Sequence, residues 1–344
     1  CMPQTVDLVT DERPVDAPYK GAQAGYHSRI EKETEIASPG YYEVFLYDSE
    51  VLAQMTVTPR CGFQQYTFPK KNESRILIDL QIPSEYRYKV LEGSIKQVSA
   101  TELEGYALSN NGYADYTLHF VIRFDKPFMR MGGWNNRKKY DDVKEVKGEG
   151  DVGVYVVFET ADQEVIKLQS GLSMVSIDHA RMNLRAELDS YDWNFDQVKA
   201  AAQNTWNDLL GKIAVKGGSE LNKKKFYTNM YRAYCAKQTW NDVDGSYIDP
   251  CGNLQKAPTG VSMYGGDAFW NSFWNLNILW SIVSPDIVNN WVSTQLELYK
   301  NSGWTSKGPT GLIYTGIMIG NHEMSLMASA YQKGIRKDGE AIYE

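Results

Sequence analysis

Two stretches of the chain set chemically capable side chains close together. Tyr264–Asn277 reads Y-G-G-D-A-F-W-N-S-F-W-N-L-N, and Trp304–Glu323 reads W-T-S-K-G-P-T-G-L-I-Y-T-G-I-M-I-G-N-H-E. Aromatics stand beside Asp267, Asn271, His322 and Glu323, and glycines break both stretches. A buried polar group costs roughly 1–3 kcal/mol unless it is paired, so a plain core avoids this mixture. A sugar pocket needs it: a flat apolar face for the ring, and carboxylates or amides for the hydroxyls. Asp267, Trp270, Asn271, Trp304, His322 and Glu323 are therefore the candidate substrate-binding residues. Tryptophans that pack helices, with capping residues between them, would give the same composition. On composition the two readings stand level.

The whole chain narrows the classes of function. Its 344 residues suit two domains, and 42% hydrophobic with 23% charged residues is an ordinary globular balance. A net charge of −7 gives no sequence-independent attraction for phosphate backbones, so nucleic acid is not an expected partner. The run Lys223-Lys224-Lys225 reads as the solvated face of a helix. The 9 Trp and 23 Tyr are more than core packing asks for, a bias common in proteins that handle carbohydrate. Cys1, Cys61, Cys235 and Cys251 match no metal spacing, and Cys235 with Cys251 either bridge or remain free thiols. No run approaches the roughly 18 apolar residues of a membrane span.

The elements that must position the candidates change character along the chain. From about Gly40 to Gly171 the period is two, through Tyr41–Asp48, Glu50–Thr58, Ile76–Leu80, Leu118–Phe124, Val152–Thr160 and Val165–Ser170. Alternation broken by turn signals predicts antiparallel strands and a sandwich. His119, within that alternation, reads as a satisfied histidine. Met131–Asp151, with Gly132-Gly133, reads as a solvated loop. After Ser176 the period changes. A helix capped near Asp192 or Asn194 is predicted to end by Gly211, followed by a short strand over Lys212–Lys216. Ser219 starts another helix. Asn241–Pro250 is dense in oxygen ligands but does not complete a calcium loop, and reads as an Asx-stabilised turn. Further helices are predicted from about Phe269 to Ile282, from Ser284-Pro285 onward, and from His322 to Lys333.

With these residues in view, the chain resembles glycoside hydrolase family 92, the calcium-dependent exo-acting α-mannosidases. The resemblance rests on Ala37–Tyr42, Cys61–Pro69, Gly171–Ile177 with Ala180–Leu184, Asn241–Gly245, Ser302–Trp304, Thr315–His322 and Ala330–Ile335. It implies a multidomain β + α architecture: an antiparallel, galactose-mutarotase-like β-sandwich over residues 1–187, a helical linker over 188–218, and the first part of an (α/α)6 barrel over 219–344. It implies inverting hydrolysis of terminal α-linked mannose on glycans, a calcium cofactor and a periplasmic, cell-surface or secreted location. The family's acid and base match nothing in these residues and are expected beyond Glu344, so the chain alone is expected to be inactive and Cys1 to be a cut point rather than a lipid anchor. Where the family shows Asp, Arg and His, this chain has Asn271, Trp274 and Asn277, which opens a second reading as a carbohydrate-binding member without catalysis.

Overall fold

The computed structural model describes residues 1–6, 8, 27–81, 88–112, 114–136, 138–235, 237–266, 268–308 and 318–343. They gather into two compact units, Cys1–Asn204 and Thr205–Glu344.

The first unit is a β-sandwich. Its strands are β1 (Met2–Gln4), β2 (Ile36–Ser38), β3 (Tyr41–Leu46), β4 (Val51–Val57), β5 (Cys61–Phe68), β6 (Lys71–Asp79), β7 (Lys89–Gln97), β8 (Glu102–Asn110), β9 (Asp115–Phe124), β10 (Arg130–Asn135), β11 (Lys138–Tyr140), β12 (Glu145–Gly148), β13 (Val152–Thr160) and β14 (Glu164–Ser173). One sheet runs β1-β6-β13-β10-β11 and the other β12-β7-β8-β9-β14-β5-β4-β3-β2. Alternate residues meet between the sheets: Ile76, Val154, Val156 and Phe158 from one, Tyr66, Phe68, Ile122, Ile166 and Leu168 from the other. This is the burial that period-two strands provide.

The outer face of the larger sheet is partly covered by α1 (Ile177–Leu188) and the start of α2 (Phe195–Leu210). Ala180, Leu184, Leu188, Phe195 and Val198 pack there on Tyr41, Cys61, Phe63 and Val121. Helix α1 lies against bare strand backbone. A Cβ on Gly171 would fall 2.4 Å from the Ala180 carbonyl oxygen and 2.8 Å from the Leu184 Cβ. Glu187 fastens the contact, accepting from the Arg60 N–H at 3.0 Å and from its guanidinium at 2.8 Å.

The second unit is helical: α3 (Glu220–Cys235), α4 (Phe269–Ser272), α5 (Leu276–Val283), α6 (Pro285–Ser302), α7 (His322–Gln332) and α8 (Gly339–Tyr343). Its core joins Met230, Tyr234, Phe269, Trp280, Val288, Trp291, Leu326 and Met327. The Trp280 indole donates to the Ala233 carbonyl at 3.1 Å, so this buried ring is satisfied. Among the described residues no helix is long and apolar enough to cross a membrane.

Several expectations need correction. Met131–Asp151 is not a loop: it holds β10, β11 and β12, and Trp134 is fully buried with its indole donating to Asp151 at 2.6 Å. Lys212–Lys216 is not a strand. The Ile213 carbonyl accepts from the Tyr227 hydroxyl at 3.1 Å, and the same hydroxyl accepts from the Val215 N–H at 3.4 Å. The helix expected over Phe269–Ile282 breaks into α4 and α5 at Asn275, whose φ of −150° leaves the helical region. Helix α1 was not foreseen; the Ser176 side chain caps it by accepting from the His179 N–H at 3.2 Å. Cys235 and Cys251 are free, exposed thiols, and burial pushes the Cys61 thiol up.

Candidate functional site

In the second unit three segments converge: α4, the turn Gly303–Gly308 and the first turn of α7. Helix α6 ends at Gly303, whose φ of 77° suits glycine and turns the chain. The turn is then clamped. Gln295, fully buried on α6, donates to the Ser306 carbonyl at 2.9 Å and accepts from the Ser306 N–H at 2.7 Å. The Phe269 N–H donates to the Lys307 carbonyl at 2.9 Å, tying α4 to the same turn. The Lys307 ammonium donates to the Met318 carbonyl.

Phe273, just after α4, meets the His322 ring edge-on at 5.1 Å. Gly320, with φ of 111°, allows the chain to pass beneath that imidazole. A Cβ there would lie 2.6 Å from its Cε1. Thr305 Oγ1 donates to Glu323 Oε1 at 3.2 Å. Glu323 is only 4% exposed, and its carboxylate sits in the first turn of α7, where the helix dipole favours negative charge.

The sequence candidates are thus placed as follows. His322 and Glu323 head α7 and reach Phe273 and Thr305. Trp270 is half-buried on α4, Asn271 is exposed, and Trp304 is 72% exposed at the start of the clamped turn. Asp267 lies outside the described residues. The altered positions divide: Trp274 is 73% exposed beside Phe273, whereas Asn277 is buried.

Unpaired polar atoms gather at these segments. His322 Nδ1, Glu323 Oε2, Ser272 Oγ and Ser306 Oγ are buried there without a hydrogen-bond partner, as are both amide atoms of Asn277 on α5. Native proteins leave few such atoms, and each requires a reason.

Thr305, Phe273 and Gln295 are residues that sequence reasoning missed. Only Gln295 carried a signal, being four residues after Trp291 on the buried stripe of α6.

Calcium takes six to eight oxygen ligands. The loop 241–256 does not offer them. Asp249 accepts from the Cys251 and Asn253 N–H groups at 2.8 and 2.9 Å and from Gln255 at 2.9 Å. Burial works against the Asp244 charge, but Lys256 and the Ser246 N–H and hydroxyl outweigh it and hold that carboxyl at about 2. Among the described residues no group of three or more His, Cys, Asp or Glu is placed to hold a metal. Glu323 Oε2 is a single oxygen, so these residues do not fit a calcium shell by themselves.

The chain matches two family models: "Glycosyl hydrolase family 92 N-terminal domain" over residues 1–173 and "Glycosyl hydrolase family 92 catalytic domain" over residues 179–344. A family 92 α-mannosidase of Bacteroides thetaiotaomicron, solved with mannoimidazole, superposes with a TM-score of 0.87 at 24% identity over 99% of this chain and 45% of that one. An inverting family 92 mannosidase of the same bacterium gives 0.86 at 21% identity, over 99% of this chain and 44% of that one. At these identities the likeness establishes the fold: a β-sandwich followed by a helical domain. A protein of Arthroderma benhamiae described as an uncharacterized secreted glycosidase is 23% identical over 328 residues, covering 90% of this chain and 38% of that protein. The chain spans less than half the length of each of these relatives.

Proposed function

The chain belongs to glycoside hydrolase family 92, and from that premise we propose that it forms the sandwich and the first part of the catalytic domain of an enzyme that removes terminal α-linked mannose from glycans with inversion. The observation that supports this reading is the meeting of α4, the turn after Gly303 and the head of α7, through Phe273 on His322 and Thr305 on Glu323, with buried unpaired polar atoms on all three segments. Trp270 and Trp304 offer ring faces to the sugar's C–H surface. His322 Nδ1 and the Asn271 amide take its hydroxyls. Glu323, held by Thr305, uses its second oxygen for a further hydroxyl. Inverting hydrolysis needs an acid on the leaving oxygen and a base for water across the ring, the carboxyls about 6.5–9.5 Å apart. The family's acid and base match none of these residues by resemblance, so we place both outside these 344 residues and expect the chain alone to be inactive. Calcium dependence is part of the proposal, with most of the metal's ligands likewise supplied from elsewhere. The secreted relative supports a periplasmic, cell-surface or secreted location.

The test is turnover of an aryl α-mannoside by this chain and by a longer form carrying the whole family domain, each with and without a chelator. Turnover by the longer form alone, lost on chelation, supports the reading; turnover by this chain alone refutes the placement of acid and base. The exposed Asn271 and Trp274, standing where the family has charged residues, favour one alternative: glycan binding without hydrolysis. Calorimetric binding of mannose by the longer form without turnover would establish it.

A further inference from the structure

Gln295 is a polar residue on a helix face that is otherwise built for the core. It stands on the buried stripe of α6 with Val288, Trp291, Val292 and Leu298, and is itself fully buried. A leucine would fill the same place with no polar head to satisfy. The Gln295 amide is satisfied by a single residue of the turn: the Ser306 carbonyl accepts from it at 2.9 Å and the Ser306 N–H donates to it at 2.7 Å. A side chain that closes both bonds on one residue's backbone fixes where that backbone lies, because releasing it would orphan two buried peptide groups as well as the amide.

The turn is fastened on either side of Ser306 too. Ser302 Oγ donates to the Leu298 carbonyl at 2.7 Å and to the Trp304 carbonyl at 3.3 Å. The Lys307 carbonyl accepts from the Phe269 N–H at 2.9 Å. On this fixed backbone the Trp304 side chain stands largely in water, although an indole can bury about 150–250 Å². Thr305, the next residue, holds Glu323 through its hydroxyl. A ring left exposed on an immobilised base serves no core; it is a contact prepared in advance, which lowers the ordering cost when a ligand covers it.

We propose that Gln295 is a positioning residue for the sugar site: it touches no substrate, and it sets the turn that aims Trp304 and, through Thr305, Glu323. This rests on the reading of Trp304 and Glu323 as sugar contacts. Contact with the ring face is made in the bound substrate as in the transition state, so a loosened turn raises KM and leaves kcat in place.

The test has two arms. In the first, kinetics on an aryl α-mannoside are measured for the longer form carrying the whole family domain. Gln295→Leu should raise KM about tenfold, the equivalent of roughly 1.4 kcal/mol, with kcat within about twofold of wild type. Gln295→Glu supplies a pH signature. Its carboxylate still accepts from the Ser306 N–H but repels the Ser306 carbonyl, whereas the protonated acid donates to it. The KM ratio of this variant to wild type should therefore fall toward one between about pH 8 and pH 5. Lys307 and Glu323 titrate in both proteins and cancel in the ratio. Ser302→Ala, which loosens the turn without entering the core, should raise KM in the same direction and serves if the Gln295 variants melt early. In the second arm, which needs no sugar, this chain is labelled with 5-fluorotryptophan, and the Trp304 resonance is assigned by its loss in Trp304→Phe. That resonance should be single in wild type and split or broadened in Gln295→Leu. A folded Gln295→Leu protein with wild-type KM, or with an unmoved Trp304 resonance, overturns the positioning role alone. Trp304→Ala with wild-type KM overturns the sugar-site reading and this proposal with it.

Discussion

Glu323 is the residue on which the candidate site can be tested through stability alone. Its carboxylate is 4% exposed, accepts one bond from Thr305 and leaves Oε2 without a partner. A buried, unmet charged oxygen costs about 3 kcal/mol, toward the upper end of the range for unsatisfied groups. In Glu323→Gln the side-chain carbonyl keeps the Thr305 bond, and the unmet atom becomes a neutral amide nitrogen, costing about 1.5 kcal/mol. Against that gain stands the lost attraction between a carboxylate and the first turn of α7, about 0.5 kcal/mol. The net expectation is stabilisation by about 1 kcal/mol, or a rise of roughly 2–4 °C in melting temperature for a unit of this size. Glu323→Ala, which removes the Thr305 bond and leaves a void, should melt below Glu323→Gln. Differential scanning calorimetry of the three proteins without ligand decides. A Glu323→Gln protein that melts lower than wild type, or together with Glu323→Ala, would show that the carboxylate is a structural bond already satisfied, and the site argument would lose its main support. A stabilised variant fits a residue kept for binding at the expense of the fold.

Two further predictions follow from contacts in each unit. Gly171→Val drives a side chain into the Ala180 carbonyl and Leu184, so α1 must lift from the sheet; we expect a loss of about 1–3 kcal/mol, read as a lower urea midpoint. Asp244 is held at about 2, below the usual carboxylate value near 3.9, so its stabilising contribution is fully present above about pH 4 and is lost as pH falls through about 2. Lys256→Met removes the principal cationic partner. The stability gap between this variant and wild type, followed by circular dichroism, should be widest above pH 4 and close toward pH 2.

The strands were legible wherever one side chain in two entered the core, as at Phe120, Ile122 and Phe124 of β9. The stretch 131–151 was misread because Gly132 and Gly133 look like loop residues. Here they are glycines because the Tyr155 ring and Val146 lie over them, so that a Cβ would come within 2.1 and 2.6 Å. No local pattern announces that demand. Helix α1 was missed because its buried apolar residues are only Ala180, Leu184 and Leu188, with a buried Asn183 and charged neighbours between them, and they give little periodic signal. At the candidate site the aromatic and ionisable residues were visible as types. What joined them was not, since Thr305 and Phe273 acquire their roles only through partners 18 and 49 positions away. Asn277 could be picked out as unusual, but its burial with both amide atoms unpaired depends on packing around α5.

The distribution of thiols has a practical consequence. Cys61 is sealed and its thiol is pushed up by burial, so it will resist alkylation at neutral pH, while Cys1, Cys235 and Cys251 are exposed. Removing Cys1 would leave two attachment points, both in the helical unit. Fluorescent or paramagnetic tags placed there would report its rearrangements during glycan addition without any engineered cysteine.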